Sequence, residues 1–237
     1  MTVTAPLKRF YKGVGVAAVA DGYAVRLDGR EIRTPAKARL VLPCAGLAEA
    51  VAAEWAAQGE RIEPAGMPLM TLACTASDQV APNRATVIAA LLGYAESDLL
   101  CYRAEHPEAL VDRQAEVWQP LLDWAASDLA APLRVTCDIR HEPQPDDALA
   151  ALRRAVEALD DLSLAALDCA TRAAGSLIVA LALHRGRLRP DTAFAAAELD
   201  ATYQIELWGE DPEATRRRAA VLADLAAAGR LFQLVSD

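Results

Sequence analysis

At 237 residues the chain suits one large domain or two small ones. Its 54% hydrophobic content, with only 5% aromatics and much alanine, favours helices packed through small side chains over a β-rich core. The net charge of -9 disfavours nucleic acid and anionic membranes as partners. The longest apolar run, Ala173 to Leu183, is shorter than the ~20 residues of a bilayer span, so no membrane insertion is expected.

Charge is unevenly spread. Residues 1–39 hold eight basic side chains against Asp21, Asp28 and Glu31, a net of +5, which leaves -14 for the remainder. A basic front on an acidic body predicts two modules, residues 1–63 and 64–237. In the front, VGVAAVA, YAVRL and REIRT are separated by Asp21-Gly22 and Asp28-Gly29, the pairs that supply positive φ in two-residue hairpins. A three-strand antiparallel meander is expected, with Tyr23, Val25 and Leu27 on the buried face, Ala24 and Arg26 on the other, and Arg39–Leu42 as a candidate fourth strand. A helix from Gly46 follows, with Leu47, Val51 and Trp55 on one face and Gly59 as its C-cap. It is expected to cover the sheet.

From Pro64 onward the signals are helical. Pro68 opens one helix and Asn83 caps another. Leu99–Ala104 reads as a short strand or a buried connector, and Leu133–Ile139 holds a possible short strand. A helix with Pro120 as a kink or restart lies between them. Four more helices are predicted at Asp147–Leu159, Ser163–Arg185, Asp191–Trp208 and Pro212–Gly229. The fold class is α+β: a small N-terminal β-meander domain with a covering helix, then a larger all-α domain.

Catalytic groupings are not evident. Gly13–Gly15 lacks the rest of a dinucleotide loop, and no Walker-type loop exists. His106, His141 and His184 are scattered. His184 suits the negative end of a helix dipole as a partly cationic imidazole, and Ser176 suits a bond back to its own helix. The five cysteines are single, which predicts reduced, buried thiols and no zinc site. No cofactor or metal is expected. The alternative is an enzyme whose site between the two domains follows no motif and takes an anionic metabolite through the Arg-rich front.

The stretch LDATYQIELWGED, Leu199 to Asp211, is unlike the rest. Leu199, Tyr203 and Leu207 form an apolar stripe; Asp200, Gln204 and Trp208 line one flank and Glu206 the other. Trp and Tyr dominate interface hot spots, so this helix end suits contact with a partner.

In order along nearly the whole chain, RFYK (9–12), LDGREIRTPAK (27–37), EWAAQ (54–58) with IEPAGMPL (62–69), DLLCYRA (98–104), WQPLLDW (118–124) and YQIELWG (203–209) resemble the ATP synthase assembly chaperones. That resemblance implies a non-enzymatic chaperone of the unassembled alpha subunit of the catalytic head, monomeric when free. It would shield the apolar subunit interface and leave on assembly. The family's helix-end motif maps onto Asp200, Tyr203, Gln204, Trp208 and Gly209 as partner-binding residues. Ala201 and Thr202 replace the acids relatives carry there, so Asp200 and Glu206 are both candidate acidic contacts. Trp55 is expected to pack rather than touch a partner. A bacterial cytoplasmic protein is implied, with eukaryotic relatives in the mitochondrial matrix.

Overall fold

The computed structural model describes residues 7–138 and 140–236. They form two compact units. The first comprises Met1–Arg84, Asp161–Ala165 and Arg230–Asp237; the second comprises Ala85–Asp160 and Ala166–Gly229.

The first unit is built on strands β1 (Val14–Val19), β2 (Gly22–Leu27) and β3 (Arg30–Glu31) in an antiparallel meander. Asp28 and Gly29 make the predicted tight turn, both with positive φ. The first turn is shifted by one residue: Ala20 and Asp21 turn, and Gly22 pairs with Val19. Gly22 is needed for a different reason. A Cβ there would stand 2.4 Å from the Leu42 carbonyl, and Leu42 exchanges both backbone hydrogen bonds with Tyr23 at 2.9 Å. The candidate fourth strand, Arg39–Leu42, is therefore reduced to isolated bridges at its two ends, Arg33 to Arg39 and Tyr23 to Leu42. The third strand stops at Glu31 because Arg33 turns to pair with Arg39 instead. Ala24 is as deeply buried as Val25, so β2 is not covered on one face only.

Helix α1 (Ala45–Ala56) packs on β1 and β2, with Leu47 and Val51 fully buried. It ends at Ala57, not at Gly59. Gln58 does the capping: its Nε2 donates to the Glu54 carbonyl at 3.1 Å and its Oε1 accepts from Glu63 N at 2.7 Å. The Glu54 carboxylate in turn accepts from Leu69 N and Met70 N, each at 2.8 Å, capping the first turn of α2 (Pro68–Thr75). Burial still raises the Glu54 pKa. After α2 the chain widens into one π turn, Ala76–Val80, and continues as α3 (Ala81–Glu96). Asn83 is the non-helical residue in α3, its side chain donating back to the Gln79 carbonyl, so it marks a kink rather than a cap.

The second unit is helical. A 3-10 turn, Leu99–Cys101, precedes α4 (Glu108–Asp128), which runs unbroken through Pro120. Tyr102 and Thr136 share one parallel bridge; Ile139 lies outside the described residues. Then come α5 (Asp146–Glu157), α6 (Asp161–Ala174), α7 (Leu177–His184), α8 (Pro190–Ala197), α9 (Leu199–Trp208) and α10 (Pro212–Ser236). The predicted helix 163–185 is two helices. Gly175 takes a φ of +66° and Ser176 becomes an N-cap, its Oγ accepting from Val179 N at 3.0 Å while its hydroxyl donates to Asp98 at 2.7 Å. Asp98, fully buried, also accepts from Leu100 N and Ile178 N, and its carboxyl is pushed up to about 6 by burial.

His184 does end α7, but burial and the neighbouring Arg185 lower its pKa, the reverse of the cationic imidazole expected. Gly229 does not end α10. A Cβ there would lie 2.8 Å from Pro190 Cγ and 3.2 Å from Leu183 Cδ1, so the glycine serves close helix packing. Over the described residues α10 alone is long and apolar enough to cross a membrane. Its Val221, Leu225, Ala228, Leu231 and Phe232 are buried while Leu222 is exposed, so one face packs inward. All five cysteines are free; Cys74 and Cys101 are buried, and Cys137 is exposed against expectation.

Candidate partner-binding site

The predicted helix 191–208 breaks at Glu198, which leaves helical geometry (φ -104°, ψ 20°) and starts α9. Glu198 is 5% exposed, so its charge demands partners. Arg217 reaches it with both terminal nitrogens, at 2.9 and 2.7 Å, and Arg218 at 3.1 Å. Arg218 also bonds Thr202 Oγ1, pairs with Glu210 and lies over the Phe194 ring. The root of α9 is thereby clamped to α10.

Asp200 is held from the opposite side. Gln114, 2% exposed, donates Nε2 to Asp200 Oδ1 at 2.8 Å and accepts from Ala104 N at 2.8 Å. The Gln114 carbonyl takes a bond from Arg103, whose guanidinium lies over the ring of buried Trp118. Trp118 closes this network by donating its indole N–H to the Ala196 carbonyl at 2.9 Å. Tyr203 is buried beneath Arg113, 5.3 Å from its ring centre, and Arg113 also pairs with Glu206 at 2.6 Å. That last pair is about half exposed on both sides and contributes little to stability.

One turn further the character reverses. Gln204, Glu206, Leu207, Trp208 and Gly209 are exposed, Leu207 at 55% and Trp208 at 81%. The apolar stripe expected through Leu199, Tyr203 and Leu207 thus ends at Tyr203, since Leu207 stays in water. Nor does Trp208 seal the helix end. Gly209 takes a φ of +84° and directs the chain out of the helix.

The six predicted residues therefore form two layers. Asp200, half-buried, and Tyr203, buried, belong to the support, while Gln204, Glu206, Trp208 and Gly209 lie at the surface. The supporting residues Gln114, Arg113 and Glu198 were not singled out in the sequence. A polar residue inside a helix gives no sign of its partner 86 positions away; the only hint was the acid Glu198 amid the apolar residues of its neighbourhood. As chemistry, the surface layer offers a large aromatic area, an amide and a carboxylate, the ingredients of a contact surface. Among the described residues no three His, Cys, Asp or Glu side chains gather as metal ligands.

Residues 8–126 match the family model of the ATP12 chaperone protein. The crystal structure of Atp12 from Paracoccus denitrificans superimposes with a TM-score of 0.91 at 45% identity, covering 96% of this chain and 98% of that one. The Atu1473 protein of Agrobacterium tumefaciens superimposes with a TM-score of 0.92 at 43% identity, over 96% and 86% of the respective chains. Protein atp12, mitochondrial, of Schizosaccharomyces pombe is 24% identical over 214 residues, 85% of this chain and 74% of the relative. The family model stops short of α9, but the solved structures extend the likeness over almost the entire length, as the ordered blocks had suggested. The chain belongs to the ATP12 chaperone family.

Proposed function

We infer that this chaperone serves ATP synthase assembly by holding the unassembled alpha subunit of the catalytic head until its neighbour arrives. The observation that supports the reading most strongly is the 81% exposure of Trp208 at the end of a helix whose root is clamped on two sides. An unsupported surface tryptophan would waste apolar area on water; on a rigid mount it is an anchor with little ordering entropy left to lose. Gln204 and Glu206 flank it and give the rim its polarity, Gly209 frees the approach, and Asp200 and Tyr203 hold the helix from below. An isolated subunit exposes an obligate interface that is large and apolar. A few aromatic anchors in a charged rim cover such a surface and still release it. The acidic body would steer basic partner groups at low salt. The chain would act as a monomer in the compartment where the head is assembled, the bacterial cytoplasm or the mitochondrial matrix.

Co-expression of the alpha subunit with this chain tests the reading. The expected result is a soluble alpha subunit that co-purifies with the native chain and is lost with Trp208→Ala. An alpha subunit that aggregates equally with and without the chaperone would sink it.

A further inference from the structure

The two edges of the sheet in the first unit are finished differently. β3 is two residues long, consists of Arg30 and Glu31, and is soon followed by Pro35. Short length, charge and proline are devices that stop a sheet edge from pairing with another chain. The outer edge of β1 has none of them. VGVAAV is six residues long, uncharged and without proline, and its register with β2 is unbroken from Val14–Leu27 to Val19–Gly22. No residue of β1 is buried, and Gly15 and Ala18 are exposed.

The register fixes which backbone groups face outward. Asp28 N donates to the Gly13 carbonyl at 2.9 Å, so the positions of β1 bonded to β2 are Gly15, Ala17 and Val19. Val14, Val16 and Ala18 therefore turn both N–H and C=O to the open side. Among the described residues no hydrogen bond reaches the backbone of those three. A Cβ at Gly15 would meet nothing within 4 Å, so a large side chain of an added strand has room there.

We propose that the outer edge of β1 takes an extended strand of the client polypeptide, which adds to the sheet antiparallel to β1 through backbone bonds to Val14, Val16 and Ala18. A line of alternating donors and acceptors is matched by another extended backbone, and not by a helix, whose own amides are already paired. Charge selects among strands. Lys12 is exposed just before β1 and Asp21 just after it, so the antiparallel strand that fits has a basic residue first, an uncharged centre and an acid last. A large residue opposite Gly15 fills the open space, as a cross-strand pair. β1 of a second copy has the same polarity, but pairing with it would bring two fronts of net charge +5 side by side, which favours the client strand. That the strand belongs to the alpha subunit rests on the assembly reading; the open edge stands on the register alone.

The full chain is titrated with the capped peptide Lys-Thr-Val-Thr-Val-Phe-Val-Thr-Glu, and backbone amide exchange is followed by NMR. In the proposed register its valines pair with Ala18, Val16 and Val14, its phenylalanine lies opposite Gly15 and its glutamate opposite Lys12. Exchange at Val14, Val16 and Ala18 is expected to slow about tenfold or more at saturation, whereas Gly15, Ala17 and Val19, already bonded to β2, stay as they are. The same peptide N-methylated at its valines keeps every side chain and loses the donors, so it is expected to bind about tenfold more weakly or worse. Val16→Pro removes an outward N–H without breaking a bond to β2 and is expected to weaken binding to a similar degree with the fold retained. Should that variant fail to fold, the exchange pattern and the methylated peptide decide on the native chain. Unchanged exchange at the outward amides, equal protection along all of β1, undiminished binding of the methylated peptide, or a peptide-free dimer that Val16→Pro disperses overturns the proposal. Trp208→Ala is expected to leave peptide binding unchanged. A native chain that protects these amides yet fails to capture the alpha subunit counts against the assembly role alone.

Discussion

The two ends of α9 are ten residues apart in one helix yet obey opposite rules. At the root, three polar groups that enter the interior are matched: Glu198 by two arginines, Asp200 by Gln114 and the Ala196 carbonyl by the Trp118 indole. At the tip, Leu207 and Trp208 are left in water. A buried charge is tolerated only when its partners are held in place, so the root is rigid by necessity. The tip inherits that rigidity without sharing the contacts. On the function proposed above, a fixed mount under an uncovered aromatic serves binding, where the same tryptophan on a loose segment would be an aggregation hazard.

This contrast can be broken by mutation, and the largest effect is expected at the root. Glu198→Ala removes the carboxylate that Arg217 and Arg218 share and should lower stability by about 3 kcal/mol, measured by chemical denaturation. If it costs less than the typical surface change, the root is not a clamp. The second is Asp98→Asn, beneath the start of α7, which should cost about 2 kcal/mol at pH 7 by disturbing three hydrogen bonds. It also carries a pH signature. Because the folded carboxyl titrates near 6, above its unfolded value, its contribution is full below pH 4 and is lost as pH rises through 6. The native-minus-variant stability difference should fall across that window.

Gly209→Ala comes third, at about 1–2 kcal/mol, because φ is +84° there. Since a Cβ at that site would meet no neighbour, any loss measures backbone strain alone. The smallest effect sharpens the contrast most. Trp208→Ala should change stability by less than about 0.5 kcal/mol while weakening alpha-subunit capture more than any root variant that still folds. A Trp208→Ala protein that melts well below the native one would return this residue to the core.

Much of this was legible in the chain. The Asp28-Gly29 turn, the opening of α2 at Pro68 and the end of α7 before Gly186 all follow from local chemistry, and the ordered motifs carried the family. What failed did so where a distant group decided a local question. Gly22 resembles a turn residue but leaves room for Leu42 to approach; Gly59 resembles a cap, but Gln58 takes the carbonyl; Gly229 resembles an end and is a packing notch. Helices 163–185 and 191–208 were read as continuous because apolar periodicity does not reveal that Ser176 is claimed by Asp98 or Glu198 by two arginines. The candidate site divides in the same way. Sequence named its six residues but not their two layers, since the partners of Asp200 and Tyr203 sit on α4, far along the chain.

The adjacency of Glu54 and Trp55 has a mechanical corollary. One carboxylate holds the opening amides of α2, and the next side chain forms a wall of a cavity whose floor α2 supplies. Loosening of α1 at this point would release the Leu69 and Met70 amides, so their deuterium uptake gauges how firmly α1 and α2 are joined.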